Sequence, residues 1–186
     1  MKLNTRASLT TVALTVGAVL RRRGITAVLT SGACASLHTG GAYVSNDADF
    51  VVRGAVRQVA LDSALGELGF QRQGDRYVHP RVSFYVEFPP GPLAIGSDLD
   101  IRPIEVDRGA GPALVLSPTD SCRDRLAAFH HWRDRQSLRL AVSIARAQPV
   151  DLKVIEKWSR AEGSLEAYAE FLRELTRPKR TRVRRV

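Results

Sequence analysis

Hydrophobic positions occur as short strand-like runs in the first two thirds of the chain and as helical stripes in the last third. Residues 7–20 read as an amphipathic helix. Arg21, Arg22 and Arg23 follow, suit the negative C-terminal end of the helix dipole, and stop at Gly24. The apolar run 25–29 reads as a buried strand, 33–38 as a short helix and 48–52 as a second strand. Residues 55–68 place Val56, Val59, Ala60, Leu65 and Leu68 at roughly helical spacing and close at Gly69. From residue 71 to 115 the pattern turns to strands at 77–79, 82–88, 101–106 and 113–116. In 82–88 Val82, Phe84, Val86 and Phe88 line one face, with Ser83, Tyr85 and Glu87 on the other. The prolines and glycine of 89–92 end that strand.

Ser117-Pro118-Thr119-Asp120 opens a helical region: a serine N-cap, proline at the first helical position and a carboxylate at the third. Helices are expected over 118–132, 134–147, 150–161 and 164–176, the last with Leu165, Tyr168, Leu172 and Leu175 on one stripe. The layout is an α/β (α+β) body over residues 1–116, a helical C-terminal part over 117–176 and a basic tail over 177–186.

With 186 residues, 44% of them hydrophobic, the chain can bury a core of its own. Its formal charge of +9 is unevenly placed, because Arg177, Lys179, Arg180, Arg182, Arg184 and Arg185 sit in the last ten residues and leave only +3 on the rest. The tail reads as either an arm that adds phosphate contacts to nucleic acid or a solvated, disordered end. Cys34 and Cys122 make neither a disulfide framework nor a zinc pattern, so a reducing cytoplasm is the simplest setting. Residues 7–20 look like a signal-peptide core, but the arginines follow directly with no small-residue cleavage site. The segment is also too short and polar to span a membrane.

The candidate chemistry lies between residues 28 and 52. Asp47 and Asp49 are spaced i, i+2 among strand formers, so both carboxylates project from one face and can share a divalent cation. Upstream, the turn at Ser31-Gly32-Ala33 can present backbone N–H groups to phosphate. Further carboxylates stand at Glu87, on the polar face of a later strand, and at Asp98 and Asp100, a second i, i+2 pair that could rival it as a third metal ligand. Gly40 and Gly41 suit a turn, and His38 a helix end. His130 and His131 point about 100° apart on a helix and cannot readily share one ion, so with Trp132 they read as packing residues.

These residues resemble the signature of the polymerase-β-type nucleotidyltransferase superfamily, in which a Gly-Gly or Gly-Ser turn precedes an Asp-x-Asp strand by a short helix. Within it, the likeness is to minimal bacterial members related to type IV toxin–antitoxin (abortive infection) toxins. The resemblance extends to residues 86–96 and 117–136, and spans 25–140 in all. It implies a nucleotidyltransferase-like mixed sheet flanked by helices, and Mg²⁺ or Mn²⁺ held by Asp47, Asp49 and Glu87. It further implies an NTP bound at Ser31, Gly32, Arg125 and Asp134, and transfer of NMP to an acceptor hydroxyl, with RNA and particularly a tRNA end first and a protein hydroxyl or small molecule as the other acceptors, and with a cognate antitoxin as a candidate partner. Arg125 stands where relatives carry lysine, and Arg133-Asp134 matches their Arg-Asp pair; an ion-pair network among Arg123, Asp124, Arg133, Asp134 and Arg135 is the other reading. Ser31 replaces the first glycine of the turn. Its hydroxyl can bond a phosphate, and its Cβ can also crowd the backbone approach that glycine permits. A catalytically weak member, working as a nucleic-acid-binding or antitoxin-like module, is the alternative function.

Overall fold

The protein, described as a computed structural model, is defined over residues 3–43 and 45–178. Seven helices and seven strands follow one another among these residues: α1 Leu9–Arg22, β1 Ala27–Leu29, α2 Ser31–His38, β2 Asp47–Val52, α3 Gln58–Gly66, β3 Gln71–Gln73 and β4 Arg76–His79. Then come β5 Val82–Glu87, β6 Ile104–Val106, β7 Ala113–Val115, α4 Pro118–Trp132, α5 Arg135–Ala147, α6 Leu152–Ala161 and α7 Leu165–Thr176. The strands form one mixed sheet in the order β3-β4-β5-β2-β1-β7-β6. Strand β1 runs antiparallel to β2 and parallel to β7, while β2 and β5 are parallel. The α/β layout with a helical C-terminal part is therefore the one expected from the pattern.

Helix α1 departs from its expected amphipathic character. Ser8 caps it, accepting from the Thr11 N–H at 3.2 Å, and residues 12–20 are buried without a break. The reason is its place against the sheet: a Cβ on Gly17 would lie 2.7 Å from the Ala113 Cβ, so the helix approaches β7 at backbone distance. A helix that close to a sheet and flanked by others is apolar all round.

Other elements also differ from the expected pattern. Helix α3 starts at Gln58 and buries Leu61, Ala64 and Leu65, leaving Val59 63% exposed. The strand expected over 101–106 shortens to β6, and β3, wholly exposed and polar, gave no hydrophobic signal. In α7 the expected Tyr168, Leu172 and Leu175 pack inward and Ala167 and Phe171 widen that face, while Leu165, expected on it, is exposed.

Helix α4 starts as its capping signal requires, with Ser117 Oγ accepting from the Asp120 N–H at 3.1 Å and donating to Asp120 Oδ2 at 2.9 Å. Hydrogen bonds tie the helices to one another and to the loops beside them. His38 Nε2 meets the Leu116 carbonyl at 2.9 Å, Gln148 Nε2 donates to the His38 carbonyl at 3.1 Å, and Trp158 Nε1 donates to the Ile95 carbonyl at 3.0 Å. The helix-end reading of His38 thus becomes a strut between α2 and the start of α4.

Candidate active site

Strand β2 enters the sheet with Ala48 and Phe50 buried, which turns Asp47 and Asp49 to the opposite face. Its parallel partner β5 sets Tyr85 beside Asp47 and Glu87 beside Asp49. Asp47, Asp49 and Glu87 therefore converge, each offering one carboxylate oxygen within 4.8 Å of the others. The Asp98 and Asp100 pair lies elsewhere: Asp98 is bound to Arg123, and Asp100 pairs with Arg102 at 3.3 Å on the surface.

Three half-buried carboxylates at this spacing repel one another. Asp49 shows the consequence, its pKa pushed up to about 6. Burial is the largest cause, the charge of Asp47 the next, and Glu87 adds to it; the Ser31 hydroxyl and the charge of Arg125 oppose the shift. A divalent cation relieves such repulsion and favours oxygen ligands, so the cluster fits the metal expected of it.

The turn before α2 stands beside this cluster. Thr30 leaves β1 with its N–H bonded to the Asp49 carbonyl at 3.0 Å, and α2 then starts at Ser31. Ser31 has a φ of 56°, the left-handed region that favours glycine, at the position where the family pattern carries glycine. Gly32 follows in a tight place, since a Cβ there would lie 3.0 Å from Ser45 Oγ and 3.2 Å from Tyr43 Cε1. Ser45 in turn donates a hydrogen bond to Asp47 Oδ1. The N-terminus of α2, where the helix dipole is positive, thus starts one residue after the Thr30–Asp49 bond, with the Ser31 hydroxyl bonded to Asp49.

Arg125 lies on α4 with its side chain only 15% exposed and forks onto Asp124, at 2.9 Å from Nε and 2.6 Å from Nη2. Its charge is felt by both Asp49 and Asp134. Asp134 is the N-cap of α5: its oxygens accept from the Gln136 N–H at 2.9 Å and the Ser137 hydroxyl at 2.6 Å, and these bonds hold its carboxyl below the usual range. The ion-pair network expected among Arg123, Asp124, Arg133, Asp134 and Arg135 resolves into separate contacts. Arg123 is buried and pairs with Asp98 and Asp120, Arg135 pairs with Glu170, and Arg133 takes a left-handed φ of 53° above the Phe129 ring.

His130 is a packing residue, as expected, stacked on Trp158 with ring centroids 5.0 Å apart and 16° between planes, whereas His131 and Trp132, expected to pack with it, lie exposed at the end of α4, Trp132 to 77%. Of the basic tail, Arg177 ends α7 and pairs with Glu174 at 3.4 Å; Lys179, Arg180, Arg182, Arg184 and Arg185 lie outside the described residues.

Tyr85, Ser45 and Tyr43 were not singled out by sequence reasoning. Tyr85 had a signal, its i, i+2 spacing from Glu87. Its hydroxyl pKa is raised chiefly by the charge of Asp47, and Arg76 lies 5.1 Å from its ring centroid. Ser45 and Tyr43 lie in a loop whose path no periodicity foretells.

No family model matches the chain, and no curated protein matches it. Among solved structures, the chain is similar to an antigenic nucleotidyltransferase-like protein from Paracoccidioides brasiliensis, with a TM-score of 0.59 and 16% identity over 90% of this chain and 94% of that one. It is also similar to the antibiotic-resistance factor ANT(2'')-Ia in solution, with a TM-score of 0.52 and 15% identity over 86% and 94% of the two chains. The chain thus shares its fold with nucleotidyltransferase-like proteins.

Proposed function

We propose that this protein is a metal-dependent nucleotidyltransferase that moves NMP from an NTP to an acceptor hydroxyl. The observation that carries this reading is the convergence of Asp47, Asp49 and Glu87 beside the α2 turn. In the reaction, the acceptor oxygen bonds to the α-phosphorus, the bond from that phosphorus to the bridging oxygen breaks, and pyrophosphate leaves. When bound, Mg²⁺ or Mn²⁺ supplies neutralisation of the triphosphate and a lowered pKa at the attacking hydroxyl. Asp47 and Asp49 would hold the metal. Glu87 completes the ligand set or takes the hydroxyl proton. The N–H groups of Ser31 and Gly32 receive phosphate at the end of α2, and Arg125, whose charge already reaches Asp49, steadies it. Asp134 serves the nucleotide side indirectly, by fixing the start of α5 and drawing on Arg125.

RNA, a tRNA end first, is the acceptor in this reading, and the resemblance to toxin relatives assigns the protein the toxin's place in a toxin–antitoxin pair. Labelled nucleotide, total RNA and Mg²⁺ or Mn²⁺ test it: incorporation that Asp47→Ala with Asp49→Ala removes supports the enzyme, and none overturns it.

A second reading has its own observation. The non-glycine residue at φ 56° and the seating of Tyr43 and Ser45 on Gly32 narrow the cradle, which favours a catalytically weak member acting as a nucleic-acid-binding or antitoxin-like module. Nucleotide binding at the turn separates the two, since only the enzyme requires it.

A further inference from the structure

The geometry points to the exposed face of α5 as the track that holds the phosphate backbone of a single-stranded RNA acceptor, an inference that rests on the nucleotidyltransferase reading. Arg135, Arg139, Ser143 and Arg146 follow one another at intervals of four, four and three residues, which puts them on one helical face about 16 Å long. All four are exposed. The face borders two cavities. One, of about 440 Å³, lies between α5 and the end of α7 and includes Arg135, Arg139, Arg146 and Arg177, with Glu174 as its acid. The other, of about 270 Å³, includes Tyr43, Gln136 and Arg139. Arg139 and Ser143 belong to both, so the two form one path.

The path begins at the candidate active site. Gln136 Nε2 donates to Tyr43 Oη at 3.2 Å, and Tyr43 is the residue whose ring edge lies at Gly32. A strand whose end reaches the carboxylates past Tyr43 would run along Arg139 toward Arg146 and Arg177. Arg146 donates to the carbonyls of Glu174, Leu175 and Arg177 at 2.7, 3.2 and 2.6 Å, and Arg135 pairs with Glu170; Arg139 has no ion-pair partner among the described residues. Arg139 is thus the guanidinium free to hold a phosphate bidentately, and Arg135, one turn before it, and Arg146, two turns after it, add positive charge along the same face. An acidic protein surface would ask for apolar anchors at the centre of the contact, and among the described residues none of the exposed large hydrophobic side chains, such as Trp132 or Val59, lines either cavity.

The test uses the full chain and a 5′-fluorescent single-stranded RNA of about a dozen nucleotides with a free 3′ hydroxyl, by anisotropy in metal-free buffer over a salt series. Arg139→Gln is expected to weaken binding about three- to tenfold and to lower the salt slope by about one, with Arg139→Glu weakening it further, while the exposed control Arg53→Gln leaves both unchanged. Arg139 variants that bind like the control overturn the inference, as does polyglutamate binding that depends on Arg139 in a chain that ignores RNA. Binding of labelled ATP with Mg²⁺, and its loss in Asp47→Ala, is measured in parallel. Nucleotide binding without Arg139-dependent RNA binding removes the track alone; an RNA track without nucleotide binding removes the enzyme reading and leaves the track standing.

Discussion

Asp49 and Glu87 stand directly side by side on neighbouring parallel strands, with Asp47 on the same face two residues upstream. That register brings together acids that are far apart in sequence, and it makes the cluster a place of stored repulsion. Asp49→Asn removes a charge from the cluster and is expected to raise metal-free stability by up to about 1 kcal/mol, since a like-charge cluster favours function over stability. Mg²⁺ or Mn²⁺ is expected to raise the melting temperature of the unmodified protein and to have little effect on Asp49→Asn. Thermal unfolding with and without metal checks both; equal metal responses in the two proteins contradict the clasp.

Ser31 sits at φ 56°, where a side chain is strained and glycine is not. Comparing Ser31→Gly with Ser31→Ala isolates this, because both remove the hydroxyl and only the first removes the Cβ. The glycine variant is expected to be about 1 kcal/mol more stable than the alanine variant in urea unfolding. It should also bind nucleotide more tightly. Equal stability would mean that the backbone at this turn carries no strain.

Gly32→Ala would press a methyl group against Ser45 Oγ and Tyr43 Cε1 at 3.0 and 3.2 Å. Both neighbours must give way by a few tenths of an ångström, and Ser45 holds Asp47. The expected result is a loss of stability of about 1 kcal/mol and a fall in transfer rate of tenfold or more, because small misplacements in a reacting geometry are costly. Unfolding and labelled-nucleotide kinetics measured together would show it; unchanged kinetics would place Gly32 outside the machinery.

His130 has both ring nitrogens buried without a hydrogen-bond partner, and burial lowers its pKa to about 4, helped by the charges of His131 and Arg133 and opposed by Glu162. The unfolded chain takes up the proton near pH 6.5 and the folded chain near 4, so stability falls as pH drops through that window and is complete above it. The expected loss between pH 7.5 and 4.5 is on the order of 1–2 kcal/mol from this residue. His130→Phe keeps the stack on Trp158 and should flatten the pH dependence of urea unfolding. The same slope in both proteins would assign the effect to other groups.

Much of this molecule was legible in its sequence, for reasons that differ by residue. Asp47 and Asp49 share a face because strand geometry requires it. The Ser117 cap and its proline mark the start of α4 through local hydrogen bonding alone. Glu87 needed more: its strand was readable from alternation, but its position opposite Asp49 is a matter of register between segments nearly forty residues apart. β3, with three exposed polar residues, carried no burial signal, and α1 was read as amphipathic because its polar threonines hide burial that the sheet imposes. Thr15 illustrates this, buried with its hydroxyl bonded to the Thr11 carbonyl at 2.7 Å. Asp134, read from the resemblance as a nucleotide residue, turned out to carry a capping role that its Asp-x-x-Ser context already offered.

The central claim is that Asp47, Asp49 and Glu87 act together in nucleotidyl transfer, and one paired measurement addresses it directly. RNA is incubated with Mn²⁺ or Mg²⁺ and ATP, UTP, GTP or CTP labelled at either the α- or the γ-phosphate, using the unmodified protein and Glu87→Gln. Label is predicted to enter RNA from the α-position and not from the γ-position, with pyrophosphate released, and Glu87→Gln is predicted to reduce incorporation at least 100-fold. Transfer of γ-label, or α-label incorporation that Glu87→Gln leaves intact, would contradict the account.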